Sequence, residues 1–252
     1  MKHALITGAG QRLGRAMAQA LAERAYDLTL HCNHSTEATE DVAELCRQAG
    51  RTAVVLRADL AEESAPAQLM AQALEAQGPV DCLINNAALY QEDSLEDFTA
   101  PQWERQLGVN LRAPALLSQA LVHQLPEGSR GCIVNLLDQR VAAPTGTFFT
   151  YTLSKCGLSD MTAMLARSLA PWIRVNAIAP GLTLPSNGQS EDEFRTAQRK
   201  TLLGQGPGPE DIVRALGYLL DSPAVTGETL FVDGGERYQE HPLDSHASRH
   251  IP

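Results

Sequence analysis

Short apolar runs alternate with longer amphipathic stretches along most of the chain. The first run, residues 3–7, is followed by a glycine-rich turn and then by residues 15–24, whose apolar positions recur at helical spacing. The alternation repeats to residue 232 and predicts short buried strands separated by helices. The further predicted strands are residues 28–32, 52–56, 80–84, 131–137, 173–178 and 229–232, and the further predicted helices are residues 36–50, 66–76, 107–125, 151–170 and 210–220.

This order of elements favours an α/β fold, a single-domain Rossmann-type doubly wound sheet of about seven parallel strands with helices on both faces. We expect the domain to span residues 1–238, with residues 239–252 as a loose C-terminal tail. The polar segment 185–205 is typical of a mobile substrate lid, with Phe194, Leu202 and Leu203 lining the pocket when it closes.

Composition narrows the classes of ligand and location. The 252 residues carry a formal net charge of -10, which argues against nucleic acid or an anionic membrane as partner and favours a small-molecule ligand. The five cysteines include no Cys-x-x-Cys pair, so neither a disulfide framework nor a metal site is expected. No apolar stretch approaches the roughly 18 residues that span a bilayer, and we expect a cytoplasmic protein.

The turn after the first strand has the composition of a dinucleotide-binding loop. Its glycines, Gly8, Gly10 and Gly14, permit a tight turn and the close approach of a ligand. The helix N-terminus that follows suits a pyrophosphate. Turns also use glycine for steric reasons alone, but this one lies between a first strand and a first helix, which is the context that nucleotide binding requires.

Residues near the ends of the second and third strands bear on the choice of cofactor. NAD-selective sites hold the ribose 2′-hydroxyl with an acidic residue near the second strand end, and none stands here. Arg12, His34 and Ser35 offer donors for a 2′-phosphate instead, which favours NADP(H) unless they only form a solvated rim. Asp59 is placed to bond the adenine amine or to cap a turn.

Residues 151–155 bring a phenol and an ammonium into one site. In a helix, Tyr151 and Lys155 lie one turn apart on one face. A nearby positive charge favours the phenolate, so we expect Lys155 to lower the pKa of Tyr151 and to make it a usable proton donor or acceptor. The alternative is an ordinary surface pair at i,i+4 spacing.

A series of motifs follows in order along residues 3–238. They are Thr7-Gly8-x-x-x-Arg12-x-Gly14, Asp59-Leu60, Asn85-Asn86-Ala87-Ala88, Asn110, Tyr151-x-x-x-Lys155, Pro180-Gly181 and Asp233-Gly234-Gly235. Together they resemble the short-chain dehydrogenase/reductase family. The resemblance implies that Asn110 holds a helix kink and a proton-relay water, that Tyr151 is the proton donor, and that Lys155 binds the nicotinamide ribose and tunes Tyr151.

The same resemblance implies a cofactor site and an assembly. In this family the helices equivalent to 107–125 and 151–170 form the main subunit contacts, so a homotetramer is expected. The expected cofactor-binding residues are Gly8, Gln11, Arg12, Leu13, Gly14, Asn33, His34, Ser35, Asp59, Leu60, Asn86, Ala87, Ala88, Tyr151, Lys155, Pro180, Gly181, Leu182 and Thr183, of which those after Pro180 touch the nicotinamide end.

Two departures from the usual family pattern carry information about the substrate. Arg12 stands where most members have the second glycine of the loop, and Asp138 stands where most have a catalytic serine, thirteen residues before Tyr151. With the aromatic Tyr90 shortly after the Asn-Asn-Ala run, both departures look like the pteridine reductase and dihydromonapterin reductase branch. This branch implies substrate contacts from Tyr90, Asp138, Tyr151 and Leu184.

The chemistry of Asp138 can be weighed without the family. An ionised carboxylate would repel the negative charge that develops on a carbonyl oxygen during reduction. A ring imine instead needs a proton on nitrogen, which Asp138 can help to relay through Tyr151. The alternative is that Asp138 only caps a loop. Tyr90 is either a stacking surface for a flat pterin or an ordinary half-buried loop tyrosine.

We therefore expect NADPH-dependent reduction of a dihydropterin such as dihydromonapterin or dihydrobiopterin, with dihydrofolate as a poorer substrate. One alternative is a carbonyl reductase of the same fold that acts on 3-oxoacyl or ketone substrates. An alternative of another class is a non-catalytic NADP-sensing protein, against which the intact Asn110, Tyr151 and Lys155 speak.

Overall fold

The computed structural model describes residues 2–186 and 188–239, and within them the strands form one sheet. The strands are β1 (Lys2–Ile6), β2 (Tyr26–Cys32), β3 (Ala53–Arg57), β4 (Cys82–Asn85), β5 (Gly131–Leu136), β6 (Ile173–Pro180) and β7 (Thr229–Val232). All neighbouring strands are parallel, in the order β3-β2-β1-β4-β5-β6-β7. The predicted seven-stranded parallel sheet is confirmed.

Helices cover both faces of this sheet. They are α1 (Arg12–Glu23), α2 (Thr36–Gln48), α3 (Ala65–Gln77), α4 (Ala100–Leu107), α5 (Ala113–Gln124), α6 (Phe149–Leu169), α7 (Glu191–Gln198) and α8 (Pro209–Asp221). Leu21 of α1, Val42 of α2 and Leu216 of α8 belong to one buried cluster. Leu69 of α3 and Leu117 of α5 belong to a second. Each helical layer therefore buries its apolar stripe on one side of the sheet, as a doubly wound fold requires.

The predicted helix 107–125 has the wrong start and is not continuous. It is two α-helices, α4 and α5, joined by a π-helical turn at Gly108–Arg112. Helix α4 begins with a capping box in which Thr99 and Gln102 satisfy each other's backbone N–H groups. Its sequence is mostly polar and has no clear apolar stripe, so hydrophobic periodicity does not predict it. The first helix likewise begins at Arg12 rather than at residue 15.

The order of the strands places the loops that carry the predicted site residues at the carboxyl edge of the sheet. The chain builds β1, β2 and β3 outward in one direction and then returns to place β4 on the other side of β1. The carboxyl ends of β1 and β4 thus flank the point where the strand order reverses, which is where ligands of open α/β sheets bind.

The described residues form neither a membrane-spanning helix nor a metal-binding cluster. Across 2–186 and 188–239, no helix is both long and apolar enough to cross a membrane. The same ranges hold no group of three or more histidine, cysteine, aspartate or glutamate side chains arranged to bind a metal ion. The predicted tail falls almost wholly on residues 240–252, which lie outside the described residues.

Candidate active site

A cavity of about 940 Å³ opens at the carboxyl ends of the strands, and it gathers nearly the whole predicted site. Every predicted cofactor- and substrate-binding residue lines it, from the glycine loop after β1 to Leu184 after β6. Asn110 is the one predicted residue that does not, because it lies wholly buried behind the wall. Residues from six strand ends therefore meet in one space.

The glycine loop is fixed by close backbone packing. Gly8 has φ of 65°, a conformation that favours glycine. A Cβ atom on Gly14 would collide with the carbonyl oxygen of Gly8. The side chain of Asn86, at the end of β4, donates to the carbonyl oxygens of Thr7 and Gly8 at 2.8 and 3.0 Å. Strand β4 thus holds the loop in the shape in which α1 faces the cavity.

The N-terminus of α1 fits the phosphates of a dinucleotide. Gln11, the residue before the helix, makes no side-chain cap, and the first turn carries no acidic residue. Residues Gln11 to Gly14 line the cavity. The free N–H groups and the positive end of the helix dipole are therefore available to an anion, as the predicted cofactor requires.

His31 supports the same loop and was not predicted from the sequence. The backbone N–H of Gly8 donates to His31 Nδ1 at 3.2 Å, so Nε2 carries the ring proton and donates to the carbonyl oxygen of Ala58 at 3.1 Å. Burial lowers the pKa of His31, which keeps the ring neutral. The one available signal is a histidine inside an apolar strand, which alone does not separate a packing role from a ligand role.

The three residues predicted to bind the 2′-phosphate do not lie together in the structure. Arg12 donates to the carbonyl oxygens of Pro185 and Leu184 at 2.8 and 3.3 Å, so its guanidinium is held by the segment after β6 rather than by the end of β2. His34 and Ser35 do line the cavity at the end of β2. Arg57 brings a guanidinium to that end instead, because its Nε donates to the carbonyl oxygen of Asn33 at 2.8 Å.

Asp59 caps a turn, which was the alternative to an adenine contact. Its Oδ1 accepts from the backbone N–H of Ala61 at 3.0 Å, and its Oδ2 accepts from Arg105 at 3.2 Å. The Ala61 N–H, together with the Arg105 guanidinium, lowers the pKa of Asp59. Asp59 also lines the cavity, and its contact with adenine stays a prediction.

Asp138 and Tyr151 meet directly. The Tyr151 hydroxyl donates to Asp138 Oδ2 at 3.0 Å, and the backbone N–H of Arg140 donates to Oδ1 at 2.9 Å. The meeting follows from the fold, because Asp138 comes just after β5 and Tyr151 lies in the first turn of α6. Asp138 also caps the 3₁₀ turn Gln139–Val141. The carboxylate is therefore both a loop cap and the partner of the phenol.

The predicted lowering of the Tyr151 pKa is wrong, because groups other than Lys155 set the direction of the shift. Burial raises the pKa of Tyr151 well above its ordinary value, and the neighbouring Asp138 carboxylate raises it further. The Lys155 ammonium lies 5.8 Å from the centre of the Tyr151 ring and donates to the carbonyl oxygen of Leu136 at 2.6 Å. Tyr151 is thus a protonated phenol, which suits a proton donor rather than a base.

Lys155 is itself perturbed by its surroundings. Its side chain is 2% exposed. Burial lowers the pKa of Lys155 to about 8, and the negative charge of Asp138 acts in the opposite direction. A pKa of about 8 places the titration of Lys155 close to physiological pH.

Asn110 lies in the π-helical turn, in agreement with the predicted kink. Its Oδ1 accepts from the backbone N–H of Leu89 at 2.8 Å, and its Nδ2 donates to the carbonyl oxygen of Leu89 and to Ser154 Oγ at 2.9 and 3.0 Å. The side chain thus ties the loop after β4 to α6, one residue before Lys155. Its part in a proton relay stays a prediction.

An aromatic cluster closes the substrate end of the cavity. Tyr90 stacks on Phe148 with ring centroids 4.3 Å apart and an angle of 11°, and its ring meets Tyr151 edge-on at 4.8 Å. The Arg140 guanidinium lies 5.0 Å from the centre of the Phe148 ring. Because Phe148 covers one face of Tyr90, a flat ligand can stack on Tyr90 only by the other face or after Phe148 moves.

The cavity is also lined by residues that were not predicted from the sequence, among them Gln139, Arg140, Phe148 and Glu236. Phe148 has a left-handed φ of 53°, and its local sequence gives no signal for this conformation.

The segment 185–205 contains helix α7, and Phe194 is buried there while Leu202 and Leu203 are exposed. None of these three side chains lines the cavity in this arrangement.

Comparison with known proteins places these features in a family. The sequence profile described as "short chain dehydrogenase" matches residues 2–196. Glucose 1-dehydrogenase 2 of Bacillus subtilis (strain 168) is 32% identical over 247 residues, which cover 93% of this chain and 94% of that protein. The 3beta-hydroxysteroid dehydrogenase 1 of Eggerthella lenta is 31% identical over 242 residues, with 93% of each chain covered.

Solved structures agree in fold and include cofactor complexes. FolM Alternative dihydrofolate reductase 1 from Brucella canis, complexed with NADP, has a TM-score of 0.92 and 36% identity, with 97% of each chain covered. The protein of the same name from Brucella suis, also in complex with NADP, has a TM-score of 0.92 and 37% identity, with 96% of this chain and 98% of that chain covered. NADP is the predicted cofactor, and both proteins support the predicted branch. The chain is an oxidoreductase that belongs to the short-chain dehydrogenase family.

Proposed function

We propose that this protein reduces a dihydropterin to the tetrahydro form with NADPH. Dihydromonapterin and dihydrobiopterin are the candidate substrates, and dihydrofolate is a poorer one. The observation that carries the proposal is the 3.0 Å hydrogen bond in which Tyr151 donates to Asp138. The names and bound NADP of the two Brucella proteins add support.

The hydrogen bond between Tyr151 and Asp138 distinguishes an imine from a carbonyl substrate. Carbonyl reduction places negative charge on oxygen, and a carboxylate at this position would oppose that charge. Reduction of a ring C=N bond places a hydride on carbon and requires a proton on nitrogen. Tyr151, whose pKa is raised by burial and by Asp138, holds that proton in place.

The chain's own residues divide the remaining work. The N-terminus of α1 would hold the cofactor phosphates, and Lys155 would hold the nicotinamide ribose. When bound, NADPH supplies the hydride. Tyr151 gives its proton to the ring nitrogen, and Asp138, whose Oδ2 lies 3.0 Å from the Tyr151 hydroxyl, relays a replacement proton from solvent to the phenolate that is left. Tyr90 would offer the substrate ring its one free face, since Phe148 covers the other.

The rival function is carbonyl reduction by the same fold. The B. subtilis and E. lenta dehydrogenases support it at the level of the family. Asp138 distinguishes the two, because a hydroxyl donor at that position would stabilise a developing oxyanion and a carboxylate would not.

NADPH oxidation by the purified protein tests the proposal. Dihydropterins are compared with acetoacetyl thioesters and simple ketones under the same conditions. We expect dihydropterins to give the higher kcat/KM. A preference for the ketones would overturn the substrate assignment, and measurable turnover of any of them would exclude a non-catalytic NADP sensor.

We also propose that the protein is a homotetramer. The two helices that carry subunit contacts in this family, α5 and α6, leave apolar side chains in contact with solvent. Val122, Leu153 and Met164 are 37%, 40% and 68% exposed. Subunit interfaces are typically contiguous apolar patches, and in the proposed tetramer these three side chains would be part of one. Light scattering should give four times the mass of the chain, and a monomer would contradict the proposal.

A further inference from the structure

Glu236 places a second carboxyl group in the cavity, apart from the Asp138–Tyr151 pair. It lies in the 3₁₀ turn Glu236–Tyr238 that follows β7. Its Oε2 accepts from the backbone N–H of Leu182 at 2.9 Å. Its Oε1 has one contact among the described residues, a long hydrogen bond of 3.4 Å from Gln139 Nε2. One oxygen of this carboxyl group is thus weakly satisfied.

Gln139 is also incompletely satisfied. Its side chain is 4% exposed and lines the same cavity. Within residues 2–186 and 188–239, Gln139 Oε1 has no hydrogen-bond partner. Exchanging the amide oxygen and nitrogen would leave the nitrogen unpaired instead, so one polar atom is orphaned in either orientation. Buried polar atoms are normally paired, so an unpaired amide atom beside the weakly bonded oxygen of Glu236 marks this part of the cavity wall as incompletely satisfied.

The electrostatic environment of Glu236 indicates that its carboxylate has too few hydrogen-bond donors within the described residues. Burial raises the pKa of Glu236, the Leu182 N–H acts in the opposite direction, and the charge of Asp138 raises it further. Arg140 opposes these effects only in part. N–H donors from a bound molecule would stabilise the ionised carboxylate.

We propose that Glu236, supported by Gln139, binds the amino-pyrimidine edge of the substrate ring. This edge carries neighbouring N–H groups that match the two oxygens of a carboxylate, as a guanidinium does. The inference rests on the proposed function and deepens it. Glu236 would fix one end of the bicyclic ring, while Asp138 and Tyr151 act on the reducible C=N bond.

The assignment also accounts for selectivity against simple ketones. They carry no N–H pair, so their entry would leave Glu236 Oε1 with only its long hydrogen bond from Gln139. A site built to hydrogen-bond a polar edge rejects molecules that lack it more strongly than an apolar pocket can.

The test uses two dihydropteridines that differ only at position 2 of the ring, one with an amino group and one with an oxo group. Glu236→Gln keeps the shape and an acceptor for the Leu182 N–H but removes the charge and adds an N–H group. We expect wild-type enzyme to favour the amino compound by about 100-fold in kcat/KM and the variant to favour it by less than about 10-fold. Glu75→Gln, at an exposed position of α3, should behave as wild type.

The outcomes separate the inference from the proposed function. If wild type reduces neither dihydropteridine, the proposed function fails and the inference fails with it. If wild type reduces the amino compound but Glu236→Gln leaves the preference unchanged, or lowers both activities equally, Glu236 only supports the Leu182 backbone and the inference alone is overturned. The Kd of NADPH and the melting temperature, measured for each variant, identify that structural effect.

Discussion

The two ends of the cavity are built by different means. The nucleotide end is shaped by backbone: the left-handed Gly8, the close contact between Gly14 and Gly8, and the uncapped N-terminus of α1. The substrate end is built from side chains that come from distant parts of the chain, such as Asp138 after β5 and Glu236 after β7. A change at the nucleotide end should therefore alter folding and binding, and a change at the substrate end should alter chemistry and selectivity.

The pKa shifts at the two ends also differ in kind. At the nucleotide end burial lowers the pKa of His31, and the Ala61 N–H and Arg105 guanidinium lower that of Asp59, so each shift keeps the group in its usual charge state at neutral pH. At the substrate end Tyr151, Lys155 and Glu236 all have pKa values moved away from the ordinary ones, chiefly by burial. Groups perturbed in this way are typical of the place where protons move.

The largest expected effect is a loss of kcat caused by a change at the substrate end. Tyr151→Phe removes the hydroxyl that donates to Asp138 and keeps the ring. We expect kcat to fall about 1000-fold because the proton donor is lost. The Kd of NADPH, measured by fluorescence titration, should rise by less than about tenfold, because Tyr151 is one of many residues expected to bind the cofactor. Tyr218→Phe, at a residue 53% exposed on α8, is the matched control and should keep full activity.

A comparable change at the nucleotide end should act on stability and affinity. In Gly14→Ala the new methyl group meets the carbonyl oxygen of Gly8, which cannot yield without moving the loop. We expect the free energy of unfolding to fall by about 2 kcal/mol and the Kd of NADPH to rise about tenfold or more. Urea denaturation and fluorescence titration measure the two effects.

The control for that variant is Gly217→Ala. Gly217 lies within α8, and the nearest atom to an added Cβ is on the flexible side chain of Arg24 at 3.3 Å. The free energy of unfolding should not fall, and it should rise by up to about 1 kcal/mol because alanine is the better helix former. If Gly14→Ala were as stable as this control and bound NADPH as tightly, the nucleotide end would not be shaped by backbone packing.

The smallest expected effect is a pH dependence at the substrate end. The pKa of Lys155 is about 8, so the ammonium is present below that pH and is lost above it. We expect kcat/KM to be constant near neutrality and to fall about tenfold per pH unit above roughly pH 8. Because the charge of Asp138 raises the pKa of Lys155, Asp138→Asn should move this limb to lower pH. An unmoved limb would show that another group titrates there.

The sequence predicts the nucleotide end better than the substrate end for a physical reason. Glycine spacing and the strand-turn-helix order are local, and they define a phosphate loop wherever they occur together. Tyr151 and Lys155 are also found from local spacing. Gln139 and Phe148 stand close to Asp138 and Tyr151 in the sequence, but no pattern marks them, and Glu236 joins the site only through the folded sheet.

The electrostatics of the site were the least predictable part. Helical spacing correctly places Lys155 near Tyr151, but it does not show that burial and Asp138 outweigh the ammonium. Arg12 has the right chemistry for a 2′-phosphate and lines the cavity, but two of its N–H groups bond the carbonyl oxygens of Leu184 and Pro185, so its role toward the phosphate stays a prediction. Contacts of this kind depend on distances that the sequence does not contain.

The most direct test of the central claim is the substrate preference of Asp138→Ser. The kcat/KM for a dihydropterin and for an acetoacetyl thioester are measured with NADPH for wild type and variant. If Asp138 serves imine reduction through Tyr151, the dihydropterin value should fall about 100-fold while the thioester value does not fall. A dihydropterin value that is unchanged, or that falls in step with the thioester value, would contradict the role given to Asp138.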